Sequence, residues 1–556
     1  MNHRSASNTK KLRKEQELEQ LTEKQQAARK EAKQTKIYTV VFICVIALVL
    51  VAFAGTLIYR SVSNSGTIEK STKAVTIGDH TLSTAELNYY YMDLIQAQYS
   101  SWQSTYGNYM SLYLQMMGLN LTTSLDSQIR ASSTNQSWAD YFLDTAIENA
   151  RGTYALYDDA QANGFDTDVS ANVDTTVSSM TLAGTNAGYS NLAAYLKARY
   201  GNGATEETFR EYCRVSLIAQ AYQSAHSDSL TYDDAAIRAY DAEHGENYNS
   251  FTYTTVYVKA SDFLQGGTTD SDNKVTYSDE EKAASVTDAK ATADSLAEAK
   301  STVELEKLVS LVKLPAANAT ELTTTQSKAI LYTSVNSAFQ EWVSDPSRVA
   351  GDTKVFPNES TTTDDDGKET TTTYGYYVVM FESSTNNVKP MANVRHLLVA
   401  FEGGTKDSNG KTIYSDEEKA AAKAKAEELL EQWKSGDATE DSFAELVKDN
   451  TADTASASTG GLYENINPGS NYVTSFKDWA LEDHQPGDTG IVETEYGYHI
   501  MYFVGGSEQT YRDYMIEKQL HSDDMQSWYN GLVEATTVDV LNTSKIRKDL
   551  VLASSK

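Results

Sequence analysis

An eight-residue string occurs twice in this chain. Tyr277-Ser278-Asp279-Glu280-Glu281-Lys282-Ala283-Ala284 returns unchanged as Tyr414-Ser415-Asp416-Glu417-Glu418-Lys419-Ala420-Ala421. Other landmarks recur in the same order. Phe339 and Trp342 answer to Phe476 and Trp479, Gly351-Asp352-Thr353 to Gly487-Asp488-Thr489, and Tyr374-Gly375-Tyr376 to Tyr496-Gly497-Tyr498. Matches that keep their order imply a tandem duplication of one supersecondary plan. The first copy spans 247–387 and the second 388–506. At 556 residues the chain also exceeds what one core can hold, so further folded units are expected around the pair.

The second copy is the easier to read. Residues 394–401 form an apolar strand; Ser415 with Glu418 three residues on is a capping box, and Ala422, Ala426, Leu429 and Trp433 then fall on one helical face. Residues 442–448 make a second short helix. Thr474 is placed to cap a third that packs Phe476, Trp479 and Leu481. Residues 489–493 and 497–504 are the closing strands. Strand, helices, strands in that order give a small antiparallel sheet with helices against it, an α+β unit.

The copies differ where chemistry would sit. Two strand histidines of the second copy, His396 and His499, meet Thr255 and Tyr377 in the first. Asp453, followed seven residues later by Gly460-Gly461-Leu462, has no counterpart between 308 and 338. The first copy also carries a polar, acidic insertion, 358–373, before its last strand. It keeps the framework and lacks the polar pocket.

Outside the pair, residues 37–58 are uncharged, bounded by Lys36 and Arg60. As a helix at ~1.5 Å per residue they would reach about 33 Å, enough to cross a bilayer core. Residues 1–36 hold ten Lys/Arg against five Glu, so they should stay cytoplasmic and place everything after Arg60 outside. The small-x-small form of Ala52-Phe53-Ala54 offers a cleaved signal peptide as the competing reading. The apolar run continues past it, and the leading segment is long for such a peptide, so a single N-terminal membrane anchor is preferred.

Residues 74–79 read as strand and turn, and Ser83 with Glu86 opens a helix. From there to 246 the text is mainly helical. Stripes such as Tyr89, Tyr90, Tyr91 and Met92, and later Trp138, Tyr141, Phe142 and Ile147, read as packed core, while their adaptable chemistry would also suit a groove for unfolded chains. After 506 the chain returns to helix, at 511–532 and again at 544–552. The net charge is −30, and with +5 in residues 1–36 (ten Lys/Arg less five Glu) the rest carries −35, which argues against a nucleic-acid partner. Cys44 and Cys213, the two cysteines, are not expected to pair. No Ser or Cys sits in a nucleophile elbow, and the glycine pairs lack phosphate-loop spacing.

The order from Val394 to Phe503 resembles the parvulin family of peptidyl-prolyl isomerases. The resemblance implies that His396 and His499 are the family's paired histidines beneath the pocket, that Asp453 stands where parvulins have Cys or Asp, and that Thr494 joins the histidine network. Leu462, Tyr472 and Phe476 then clamp the proline ring, although family members often carry Met where Tyr472 stands. The basic residues of phosphate-directed parvulins have no match in Glu402-Gly403-Gly404-Thr405. Rotation about an imide bond breaks no covalent bond, so neither a cofactor nor a metal is called for. A metal held by His396, His499 and Asp453 would lack a further nitrogen or thiolate ligand. Residues 74–246 resemble the helical chaperone domain of SurA-type and PrsA-type foldases, and in those the C-terminal helices, here 507–556, complete that domain. The resemblance thus implies a membrane-anchored, extracytoplasmic isomerase and chaperone acting on newly exported polypeptides with X-Pro bonds, at a Gram-positive-like cell surface. The alternative is a non-catalytic holdase in which both parvulin-like units are scaffolds.

Overall fold

The computed structural model describes residues 62 and 64–548 apart from 121, 132–133, 270, 272–273, 317–318, 364–366 and 409. The apolar run 37–58 and the basic segment before it lie outside the described residues. Among the described residues, no helix is long and apolar enough to cross a membrane. The chain divides into two compact units, one made of residues up to 230 together with 524 onward, the other of 231–523. The first division falls earlier than the expected boundary at 246.

In the first unit a hairpin, β1 (Lys73–Ile77) and β2 (His80–Ser83), is followed by helices that include α1 (Thr84–Tyr106), α2 (Trp138–Ala162), α3 (Ser170–Asn186), α4 (Leu192–Tyr200) and α5 (Glu206–Ser229). Ser83 and Glu86 form the reciprocal capping box that starts α1. Tyr91, Trp138, Phe142 and Ile147 pack with Val75 and Ile77 in one core, and Tyr89, Tyr200 and Phe209 lie in a second. The tyrosine stripes are therefore interior. The C-terminal segment contributes a strand to this unit, Val538–Val540, antiparallel to β1 with Val75 opposite Val540. Residues 544–548, expected to be helical, form turns.

The second unit holds two four-stranded antiparallel sheets of one topology. In the first, β3 (Ser250–Lys259), β4 (Thr325–Leu331), β5 (Thr353–Thr363) and β6 (Glu369–Thr385) lie in the order β4-β3-β6-β5. In the second, β7 (Pro390–Ala400), β8 (Leu462–Ile466), β9 (Thr489–Glu493) and β10 (Gly497–Thr510) lie in the order β8-β7-β10-β9. The register repeats too: Thr255 pairs with Val379 as His396 pairs with Met501, and Tyr257 with Tyr377 as Leu398 with His499. The edge strands β4 and β8 were not foreseen, since a run of about five residues carries little periodicity. The polar insertion 358–373 is no loop: it prolongs the β5/β6 hairpin, whose ladder reaches Thr363 opposite Glu369.

Each face of the second sheet is covered. Helices α6 (Asp279–Leu296) and α7 (Thr302–Leu311) belong to the first sheet, α8 (Asp416–Lys434), α9 (Glu440–Asn450) and α10 (Thr474–Leu481) to the second. Ala422, Ala426, Leu429 and Trp433 of α8 and Phe443 of α9 pack on Leu397, Ile500 and Tyr502. On the opposite face Phe476 and Ala480 of α10 meet Val394, Met501 and Phe503. The helix α10 begins at Thr474 with Val473 at its N-cap, so Thr474 does not cap it. A final helix, α11 (Tyr511–Ala535), follows β10 directly.

Candidate active site

The site grows from strand alternation. Side chains one residue apart on a strand face opposite sides. Leu397 and Ile500 therefore point to α8, while His396 and His499 point to α10. His396 lies opposite Met501 and His499 opposite Leu398, which makes the two imidazoles diagonal neighbours on adjacent central strands. Their Nδ1 atoms are 3.0 Å apart, and the rings stack at 5.0 Å between centroids.

Asp453 reaches this pair from the loop after α9. Its seven-residue spacing to the glycine pair has a geometric cause. A short 3-10 turn, Ala457–Thr459, ends at Gly460 in the left-handed conformation (φ 65°), and Gly461 follows at φ 71°. A Cβ at Gly461 would stand 2.1 Å from the carbonyl oxygen of His396. The loop thus runs hard against β7, with the His396 N–H donating to Gly461 O at 2.9 Å, and it leaves Asp453 Oδ2 3.0 Å from His396 Nε2.

At the other end, Thr494 Oγ1 lies 3.0 Å from His499 Nε2 in the turn between β9 and β10, where the Thr494 N–H donates to Gly497 O. Phe476 faces both imidazoles at 5.2 and 5.4 Å between ring centroids, and Tyr472 leans on it at 5.8 Å with 38% of its surface exposed. Six of the seven expected site residues are thereby together. Leu462 is the seventh: it opens β8 opposite Arg395, half-buried, and it is not among the apolar side chains packed around Phe476.

Two members were missed. Tyr463, one residue on, turns its ring to His396 (5.0 Å), Tyr472 (5.4 Å) and Phe476 (5.9 Å) and donates its hydroxyl to Asp453 Oδ2 at 2.9 Å. Ser456 donates to the same oxygen. Recognition of β8 as a strand would have found Tyr463, because alternation from Leu462 puts it on the α10 face.

Charge follows from these contacts. Burial alone would raise the Asp453 carboxyl, but hydrogen bonds from Ser456, Tyr463 and His396 outweigh it and hold the pKa at about 2. Burial lowers His396 against the pull of Asp453. Burial, with His396 adding to it, pushes His499 down to about 3. At neutral pH an anion thus faces two neutral imidazoles. The carboxylate only accepts, so His396 carries its proton on Nε2 and leaves Nδ1 bare. That bare nitrogen accepts from Nδ1–H of His499, whose Nε2 then accepts from the Thr494 hydroxyl. One direction of donation runs from Thr494 to Asp453.

The result is a cluster of aromatic rings, Phe476, Tyr472 and Tyr463, packed over a buried polar relay. Residues 376–504 match the family model described as the PPIC-type PPIASE domain, a match that begins inside β6. The chain is similar to Foldase protein PrsA 1 of Listeria innocua and of Listeria monocytogenes. Each is 28% identical over 160 residues, which is 27% of this chain and 46% of the relative, so the chain spans less than half the length of these curated relatives. Among solved structures it is similar to peptidylprolyl isomerase PrsA from Bacillus anthracis, at 20% identity over 27% of this chain and 59% of that one, with a TM-score of 0.17. PrsA from Bacillus subtilis gives 22% identity, 29% and 54% coverage, and a TM-score of 0.17. Residues 376–504 are therefore a PPIC-type, that is parvulin-type, peptidyl-prolyl isomerase domain, and over about a quarter of its length the chain is similar to the PrsA foldases.

Proposed function

We propose that the chain is a peptidyl-prolyl cis/trans isomerase and chaperone for newly exported polypeptides, anchored by residues 37–58 at the outer face of a Gram-positive-like cell membrane. The observation that carries this reading is the cluster of aromatic rings packed against the Asp453–His396–His499–Thr494 relay. Rotation about X-Pro costs ~18–20 kcal/mol because amide resonance is lost, and no covalent bond breaks. In the twisted state the imide nitrogen is more basic and the carbonyl less polar, so a dry cleft favours it over the planar amide. Phe476, Tyr472 and Tyr463 supply apolar walls for the proline ring. His396 and His499, neutral and mutually bonded, give that cleft a rigid floor that needs no reorganisation during the turn. Asp453 keeps the floor oriented.

The test is a cis/trans isomerisation assay on the full chain with an X-Pro peptide. Catalysis should fall by more than about tenfold in Asp453→Ala and in His499→Ala. A wild-type chain no faster than the uncatalysed reaction would overturn the isomerase reading. The holdase alternative has an observation of its own. Tyr109, Leu112 and Met116, at helical spacing, are 76%, 58% and 80% exposed. Suppression of client aggregation that survives Asp453→Ala but fails when these three become Ser would assign the chaperone work to the first unit. The membrane assignment is checked by fractionation: deletion of 37–58 should release the chain from membranes.

A further inference from the structure

Tyr463 links the aromatic cluster to the polar relay beneath it. Its Cα is fixed in the β8–β7 ladder opposite Val394, its ring meets His396, Tyr472 and Phe476, and its hydroxyl ends 2.9 Å from Asp453 Oδ2. We propose that Tyr463 is a positioning residue of the isomerase site, its hydroxyl fixing the Asp453 carboxylate and through it the tautomers of both histidines, its ring forming one wall of the proline cleft. This rests on the isomerase reading.

The argument is geometric. Asp453 stands on a loop, with its side chain 17% exposed, and could turn about two side-chain bonds. Three donors converge on its Oδ2, from His396, Ser456 and Tyr463, and the N–H of Ala455 takes Oδ1 at 3.2 Å. Ser456 and Ala455 belong to the same loop and would move with it. Tyr463 belongs to the sheet that carries the histidines. Together with His396 it is therefore a donor that ties the carboxylate to the framework from outside the loop, and of the two it is the one from the edge strand. The titratable groups facing Asp453 are His396 of β7, His499 of β10 and Tyr463 of β8, with Tyr472 behind Tyr463.

Tyr463→Phe removes the hydroxyl and keeps the wall; Tyr463→Leu removes both. In the full chain, Tyr463→Phe should lower kcat about tenfold with KM held, the loss of one hydrogen bond to a charged acceptor, whereas Tyr463→Leu should also raise KM. The acid limb of kcat/KM should move up by about one pH unit in Tyr463→Phe, because a carboxylate with one donor fewer attracts a proton onto His396 more strongly. A merely structural tyrosine would leave that limb in place. Ring-nitrogen resonances of [15N]histidine-labelled chain give a readout that does not need turnover: the wild type should show His396 protonated on Nε2 and His499 on Nδ1 at neutral pH. In Tyr463→Phe the acid-side change in those resonances should begin about one unit higher. An unshifted acid limb and unshifted resonances would overturn the proposal. A wild type without isomerase activity but with the shifted resonances would instead overturn the isomerase reading and leave the positioning role of Tyr463 standing.

Discussion

Removing the charge-forming capacity of His499 should change how the second sheet responds to acid. In the folded chain His499 is 7% exposed and its pKa is pushed down to about 3 by burial and by His396, against 6.5 for an unburied imidazole. The folded value lies below the unfolded one, so the unfolded chain takes up the proton first. Stability is complete above about pH 6.5 and is lost as the pH falls toward about 3. Integrating over that window, His499 alone should cost about 2.5 kcal/mol between about pH 7 and about pH 4.5. His396, also lowered by burial, adds to the loss in the same direction. Asp453, held at about 2, contributes stability that disappears only below the usual carboxylate range. Urea denaturation read by hydrogen exchange on peptides from β7 and β10 isolates this sheet. At a urea slope of about 1–3 kcal/mol per molar, the midpoint should fall by about 1 M or more over the window. His499→Gln, which cannot titrate, should remove the His499 part of the fall, whatever it does to stability at pH 7. A wild-type midpoint that stays level, or a His499→Gln chain with the full wild-type slope, would refute the placement of two neutral imidazoles in that core.

Gly461→Ala should destabilise the second sheet by at least about 2 kcal/mol, since a left-handed residue alone costs roughly 1–2 and its Cβ would overlap the His396 carbonyl; thermal melts check this, and loss of isomerase activity should accompany it. Installing the histidines in the first sheet, Thr255→His with Tyr377→His, should add no isomerase activity to an Asp453→Ala chain, because no counterpart of Asp453 stands in the first copy to fix their tautomers. Truncation after Ala535 should destabilise the first unit by several kcal/mol, on the order of two or three lost core contacts, because it strips one of the two strands paired with β1, the buried Ile546 and the 2.7 Å Lys548–Asp140 ion pair. Hydrogen exchange in β1 reads it, and protection of β7 and β10 should be unchanged.

How far the fold was legible depended on the kind of signal. The helices α1 and α8 could be read because Ser83/Glu86 and Ser415/Glu418 are capping boxes followed by a periodic face, and both boxes form. The strand β9 could be read from its flanks. The edge strands β4 and β8 could not, since their sequences are short and only partly apolar, and their partners are far along the chain. The C-terminal strand Val538–Val540 was hidden for the same reason: its pairing with β1 is set by tertiary contact. Within the site, the resemblance to parvulins brought out the histidines and Asp453, the latter supported by its spacing to Gly460. Tyr463 and Ser456 carry no such mark, because their role is a hydrogen bond to a residue that has to be placed first.

The repeated octapeptide now has a physical meaning that separates framework from chemistry. In both copies its Glu accepts from the serine N–H that opens the helix and from a glycine N–H of the preceding loop, Glu281 from Gly267 and Glu418 from Gly404, each at 2.8 Å. Those two hydrogen bonds set where the helix starts relative to the first strand of its sheet, and they lower both carboxyls. None of the residues involved touches the pocket. Pocket positions can therefore change while the sheet order and register stay fixed. In the first sheet Tyr377 stacks on Tyr257 at 4.7 Å and Phe339 closes over it, so apolar contact replaces the imidazole pair. Aromatic infill carries no proton-linked cost, whereas two buried imidazoles do. The same backbone plan should thus be acid-resistant in its first copy and acid-sensitive in its second, the difference lying wholly in side chains that the framework leaves free.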